Sequence, residues 1–177
     1  SDDKIAEKIR TKRILGIDKD TWHRYRNQRA WFYEVTTQGY RYHMSNINAA
    51  IGIAQLKKID SFIRRKNEVV QVYNDAFNNI RGMKVLSWNL ENTATFTYII
   101  RVLNDAREDL IKFLKDKGIG SGIHYIPNHL QPFFKPFKTS LPVTEKIGEE
   151  ILTLPLYYDM TEQEVSIVVK AVNDFFN

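Results

Sequence analysis

Apolar residues recur at helical spacing along much of the chain. Ile5, Ala6 and Ile9 follow an acidic pair, Asp2 and Asp3, either of which suits a helix N-cap, and Arg10, Lys12 and Arg13 lie where a helix dipole favours cations. Gly16 is placed to end this helix. Ser45 is the expected N-cap of a much longer one, with Ile47, Ile51, Ala54 and Ile59 on one face, continuing through Phe62, Ile63, Val70, Tyr73, Phe77 and Ile80. Its span would approach about 35 residues before the break at Asn79 to Met83. Gly52 weakens such a helix by about 1 kcal/mol relative to Ala, which points to a close backbone neighbour beside Ala49, Ala50 and Ala54. Between the two helices, residues 17–38 carry bulky aromatics and cations without a clean period, as in an ordered, partly buried connection.

Beyond Gly82 the period shortens. In TATFTYIIRV, Phe96, Tyr98, Ile100 and Val102 alternate with Thr95, Thr97, Ile99 and Arg101, the pattern of a half-buried strand, with Lys84 to Trp88 as its candidate partner. Arg107 to Lys117 reads as a helix stopped by Gly118, and GIHYI, Gly122 to Ile126, as a strand halted by Pro127. Thr161 and Glu164 form a capping box for a final helix with a stripe of Val165, Val168, Val169, Val172, Phe175 and Phe176. The helical first part and the βαβ-like second part divide near Arg81, giving 1–80 and 81–177 as domains of an α+β chain.

Composition narrows the class. A chain of 177 residues with 43% hydrophobic residues is long enough for a real core. No apolar run approaches the roughly 20 residues of a membrane span, and SDDKIAEKIR has no secretory layout, so a soluble, cytoplasmic protein with no membrane partner is expected. With no cysteine there is neither a disulfide framework nor a thiolate metal site. The net charge of +5 is lopsided: residues 1–80 hold 15 Lys and Arg against 9 Asp and Glu, and residues 81–177 hold 11 against 12. A positive field of this kind suits nucleic acid, a membrane surface, a small phosphorylated ligand, or simply a solvated face.

Two clusters could carry chemistry. In GYRYHM, Arg41 and His43 stand as donors just ahead of the Ser45 helix, the layout of an anion site, although Tyr40 and Tyr42 read equally as core aromatics beside a solvated Arg41. In HYIPNHLQPFF, His124 and His129 are five apart and follow the mobile-looking GIGSG. That spacing, with no acidic residue or cysteine nearby, does not favour zinc, and no metal site is expected. A ligand-contacting polar loop and a Pro-braced surface loop both fit. No phosphate-binding glycine loop or nucleophile elbow is present.

Three segments, GYRYHMSNINAAIGIAQLKKI, IHYIPNHLQPFF and LPVTEKIGEEILTLPLYYDMTEQEV, together resemble the C-terminal part of the DegT/DnrJ/EryC1/StrS family of pyridoxal-phosphate-dependent sugar aminotransferases. The resemblance implies the C-terminal portion of an aspartate-aminotransferase-like (type I) fold. A long interface helix would be followed by a small domain with a short, mainly antiparallel sheet and flanking helices. It implies pyridoxal 5'-phosphate as cofactor, a homodimer, and a nucleoside-diphosphate keto-sugar and glutamate as substrates, in surface polysaccharide or deoxyaminosugar biosynthesis. Arg41 and His43 match positions that reach the neighbouring subunit's cofactor phosphate, where many members carry Asn and then Arg or Asn. His124, Tyr125 and His129 match the segment beside the nucleotide-sugar. The Schiff-base lysine of the family would precede Ser1, so no catalytic residue is assigned and the chain alone is expected to be inactive. A module that binds nucleic acid through HRYRNQR, or an assembly domain, is the alternative.

Overall fold

The structure, a computed structural model, describes residues 2–17, 33–87, 89–137 and 139–177. The aromatic and basic stretch at 18–32, which includes the HRYRNQR segment, lies outside the described residues. The chain forms two compact units, 1–57 and 58–177.

In the first unit, α1 (Asp3–Lys12) is capped by the Asp2 carboxylate, which accepts the N–H groups of Lys4 and Ile5. α2 (Asn46–Leu56) is capped by the Ser45 hydroxyl, which accepts from the Asn48 N–H. Both N-caps are short polar side chains that satisfy otherwise unpaired donors. Neither helix buries a residue. On α2 every position is exposed except the half-buried Ala49, and Ile47 is 75% exposed.

The second unit holds the core. α3 (Ile59–Phe77) follows α2 after Lys57 and Lys58, whose backbone stays right-handed helical while the hydrogen-bond ladder is interrupted. The single long helix expected from Ser45 to Ile80 is therefore two. The Ser61 hydroxyl donates to the Lys58 carbonyl at 2.7 Å, and the Phe62 N–H uses the same oxygen, a back-bonding arrangement that competes with helix continuity. The boundary between units falls at this interruption, ahead of the Arg81 division read from the sequence. The reason lies in the apolar stripe of α3, since Val69, Val70, Tyr73 and Phe77 are buried with the sheet.

That sheet is antiparallel, in the order β1-β2-β3, with β1 (Met83–Val85), β2 (Tyr98–Val102) and β3 (Ile151–Leu154). On β2, Tyr98, Ile100 and Val102 are buried and Ile99 and Arg101 only half-buried, as alternation requires. Ile100 pairs with Leu152 and Tyr98 with Leu154, so both strands turn the same set inward. On the other face, the Arg101 guanidinium donates from Nε and Nη2 to Glu150 Oε2 at 2.8 and 2.5 Å. Glu150 ends α5 (Pro142–Glu150), an element that, like β3, the hydrophobic pattern did not announce.

α4 (Arg107–Asp116) presents Leu110 and Leu114 to the core and stops at Gly118, where the Ile119 N–H returns to the Leu114 carbonyl. α6 (Glu162–Phe176) begins with the expected capping box between Thr161 and Glu164 and buries Val165, Val168, Ala171 and Val172. Buried polar groups are paired. Tyr73 donates to the Pro155 carbonyl at 3.1 Å and Tyr98 to Asn74 Oδ1 at 2.9 Å, and burial pushes both phenols well above their ordinary range. The GIHYI segment departs from expectation. Only Gly122 bridges to Thr153, and the chain then leaves the sheet for 3₁₀ turns at Asn128–Leu130 and Pro132–Phe137.

Ile100 is fully buried on the central strand. Ile100→Ala should lower the free energy of unfolding by about 2–5 kcal/mol, read from denaturant curves, and Ile99→Ala by clearly less. Equal losses would contradict the assignment of the two faces.

Candidate functional site

The first cluster rests on a backbone joint. Extended backbone around Arg41 lies against the turn that follows α1. Tyr40 N–H donates to the Lys12 carbonyl at 2.7 Å, Tyr42 N–H to the Arg13 carbonyl at 3.0 Å, and Leu15 N–H to the Tyr40 carbonyl at 3.0 Å, with Arg41 bridged to Ile14. Two glycines permit this approach. A Cβ at Gly39 would stand 1.9 Å from the Gly16 nitrogen, and Gly16 itself has a φ of +74° with a Cβ position 1.8 Å from the Thr37 carbonyl oxygen.

On this support the rings of Tyr40 and Tyr42 stack with centroids 5.2 Å apart and are exposed, not core aromatics. The alternation that pairs them puts Arg41 and His43 on the opposite side. Both are exposed, and neither side chain makes a hydrogen bond or ion pair with another described residue. The start of α2 follows directly, with its remaining unpaired N–H groups.

The second cluster borders a cavity of about 650 Å³ within the second unit. Its wall comprises the turn from Lys117 to Gly122, His124, the end of β3 with Pro155, Tyr157 and Met160, and Glu164, Ile167 and Val168 of α6. His124 Nδ1 is 2.9 Å from Thr153 Oγ1. Also in the lining, Tyr157 donates to Glu164 Oε1 at 3.2 Å. Glu164 is held below the ordinary carboxylate range by the Thr161 N–H and hydroxyl, whereas partial burial and the Glu164 carboxylate push the Tyr157 phenol up.

The three residues expected beside a sugar are not gathered at one point. His124 lines the cavity. Tyr125 sets its ring edge-on to His124 with centroids 5.0 Å apart but is 72% exposed and outside the lining. His129 pairs through Nε2 with Glu145 Oε1 at 3.0 Å, tying the first 3₁₀ turn to α5. Thr153, Tyr157, Glu164 and Ser121 escaped sequence reasoning as lining residues. Ser121 lay in the flagged GIGSG and Tyr157 in LPLYYD, but Thr153 carried no signal while β3 went unread. Among the described residues no group of acidic or histidine side chains could hold a metal, and no helix is long and apolar enough to cross a membrane.

Residues 1–173 match the DegT/DnrJ/EryC1/StrS aminotransferase family. The chain belongs to this family. It is 37% identical to the uncharacterized protein MJ1066 of Methanocaldococcus jannaschii, covering 96% of this chain and 46% of that protein. It is 33% identical to the spore coat polysaccharide biosynthesis protein SpsC of Bacillus subtilis, covering 98% and 47%. Among solved structures it superposes on the aminotransferase TlmJ of Streptoalloteichus hindustanus with a TM-score of 0.81 and 28% identity, covering 98% of this chain and 45% of that one. The chain therefore spans about half the length of the relatives it matches, and its antiparallel sheet and helices are the C-terminal portion of that fold.

Enzymes of the DegT/DnrJ/EryC1/StrS family depend on pyridoxal 5'-phosphate. The donor set at Arg41 and His43 fits the phosphate end of that group. It offers a guanidinium and an imidazole, exposed and without an internal carboxylate partner among the described residues, immediately before a helix start.

The joint beneath them can be tested alone. Gly39→Ala should break the approach to Gly16 and speed hydrogen exchange at the Leu15, Tyr40 and Tyr42 amides, leaving the Tyr98 to Val102 amides protected. Unchanged protection at Leu15 would contradict the geometry.

Proposed function

We propose that these residues are the C-terminal portion of a cytoplasmic aminotransferase that moves an amino group from glutamate to a keto-sugar carried on a nucleoside diphosphate, in surface polysaccharide or deoxyaminosugar biosynthesis. The observation that carries this reading is the family match over residues 1–173, joined to a cavity beside His124 lined by several polar groups. Pyridoxal phosphate, when bound, supplies the electron sink for the transfer. Arg41 and His43 would hold the phosphate of the cofactor of the neighbouring subunit in a homodimer, by hydrogen bonds that the phosphate charge strengthens. His124, with Tyr125 edge-on to it and His129 on the following turn, walls the sugar. Holding the sugar by donors on the rigid β3 side fixes its distance from the reacting centre.

Dimerisation is supported by α2. A helix rich in large apolar residues buries them, yet Ile47, Ile51, Ile53 and Leu56 of α2 are exposed here. A Cβ at Gly52 meets nothing within 4 Å, so the close neighbour expected from the sequence is not another part of the described chain, and a partner helix has room to approach. Sedimentation should show self-association at roughly tens of micromolar, ordinary assay concentrations. A monomer there would sink the interface assignment.

Because the chain spans under half of the relatives it matches, we also propose that it does not turn over alone. Pyridoxal phosphate added to it should leave no product mapping to one lysine after borohydride reduction. A single modified lysine, stable to gel filtration, would refute this.

In a full-length enzyme carrying these residues, His124→Ala should slow the sugar half-reaction about tenfold or more, the loss expected when a ligand oxygen is left without its donor. The glutamate half-reaction should change little. Single-turnover measurement of both halves decides the point, because equal losses would place His124 on the cofactor or the fold instead of the sugar.

A further inference from the structure

Thr153 is one of two buried polar residues of the described chain, at 8% exposure, and its main chain is fully committed. Its N–H donates to the Gly122 carbonyl at 2.7 Å, and its carbonyl accepts the Gly122 N–H at 3.1 Å. Its neighbours Leu152 and Leu154 point into the core, so its hydroxyl lies on the face where His124 stands. Among the described residues that hydroxyl makes one hydrogen bond, to His124 Nδ1 at 2.9 Å. The His124 ring is fixed on a second side by Gly122, where a Cβ would lie 2.9 Å from the ring Cε1. Tyr125 meets it edge-on from a third.

The hydrogen between Oγ1 and Nδ1 has a preferred owner. Were Nδ1 protonated, it would donate to Thr153, and the threonine's own hydrogen would need another acceptor. Among the described residues the hydroxyl has no second hydrogen-bond partner, and although Thr153 borders the cavity it is only 8% exposed, so a hydrogen turned away from Nδ1 would be poorly satisfied. With the hydroxyl donating to an unprotonated Nδ1, both groups are satisfied, and the neutral ring carries its proton on Nε2. Nε2 has no partner among the described residues, and the ring lines the cavity.

We infer that Thr153 is a positioning residue: its hydroxyl fixes His124 as the Nε2–H tautomer, and that N–H is the donor which the cavity offers to an oxygen of its ligand. The inference rests on the proposed sugar site for the identity of the ligand, but not for the tautomer. A sugar hydroxyl oxygen is accepted by this arrangement. A ligand presenting an ammonium at the same point is not, because it would meet hydrogen with hydrogen.

The tautomer is read from nitrogen-15 and proton spectra of the 177-residue chain at a pH of about 8, above the ordinary histidine range. The expected result is a proton on Nε2, none on Nδ1, and a strong nuclear Overhauser contact between His124 Hε1 and the Gly122 α-protons. Thr153→Val, which keeps the strand-favouring branch, should abolish that contact, and Thr153→Ser should retain both signals. A proton on Nδ1 in the unaltered chain, or an unchanged ring contact in Thr153→Val, overturns the inference. If the valine variant does not fold, the serine variant and the unaltered chain still decide it.

In a full-length enzyme, Thr153→Val should reproduce the loss of about tenfold confined to the sugar half-reaction, with Thr153→Ser close to the original. A displaced ring with an unaffected sugar half-reaction overturns the donor role. A correct tautomer with equal losses in both half-reactions for His124→Ala would instead defeat the sugar assignment, so the two failures are distinct.

Discussion

The register of β2 against β3 is the constraint from which the second unit follows. Pairing Tyr98 with Leu154 and Ile100 with Leu152 collects four large side chains on one face, where α3, α4 and α6 contribute the rest of the core. The same pairing sends Ile99, Arg101 and Thr153 to the other face. Because the side-chain period is two, a slip of β3 by one residue would turn the Thr153 hydroxyl toward the core and Leu152 and Leu154 away from it. Core stability and the placement of the Thr153 hydroxyl beside His124 are thus one choice, and Arg101 with Glu150 reinforces it from the polar side.

The two units differ in how they use their apolar residues. In the second, the helical stripes meet the sheet and are buried. In the first, α1 and α2 form from strong local signals, a capping carboxylate and a capping hydroxyl, while their apolar residues stay exposed. Local propensity and capping can specify such helices, but burial of their apolar faces must come from elsewhere. The assignment of α2 to a subunit interface is consistent with that requirement.

Much of this was legible in the sequence. Asp2, Ser45 and the Thr161 capping box marked helix starts because each satisfies a backbone donor that nothing else reaches. The alternation around Ile100 gave the central strand. What escaped was set by tertiary contacts. β3 is only four residues long, Ile151–Leu154, with Thr153 its single polar position, too short a run to announce a strand, and α5 before it buries no residue. The interruption after Leu56 escaped because Lys57 and Lys58 keep helical backbone angles and carry neither Gly nor Pro. Arg41, His43 and His124 were singled out by motif resemblance. The partner of His124 was not, because Thr153 is 29 residues away and its role is created by strand pairing.

The joint between Gly16 and Gly39 is made of main chain on both sides, and its hydrogen bonds use the carbonyls of Lys12, Arg13 and Tyr40 and the amides of Leu15, Tyr40 and Tyr42. None of these bonds asks anything of the side chains at 41 and 43. The two glycines can scarcely change, whereas the side chains at 41 and 43 can be replaced without moving the support beneath them. Whatever chemistry the two side chains perform, the frame that carries them is indifferent to it, so the donors here can be exchanged while their placement is kept.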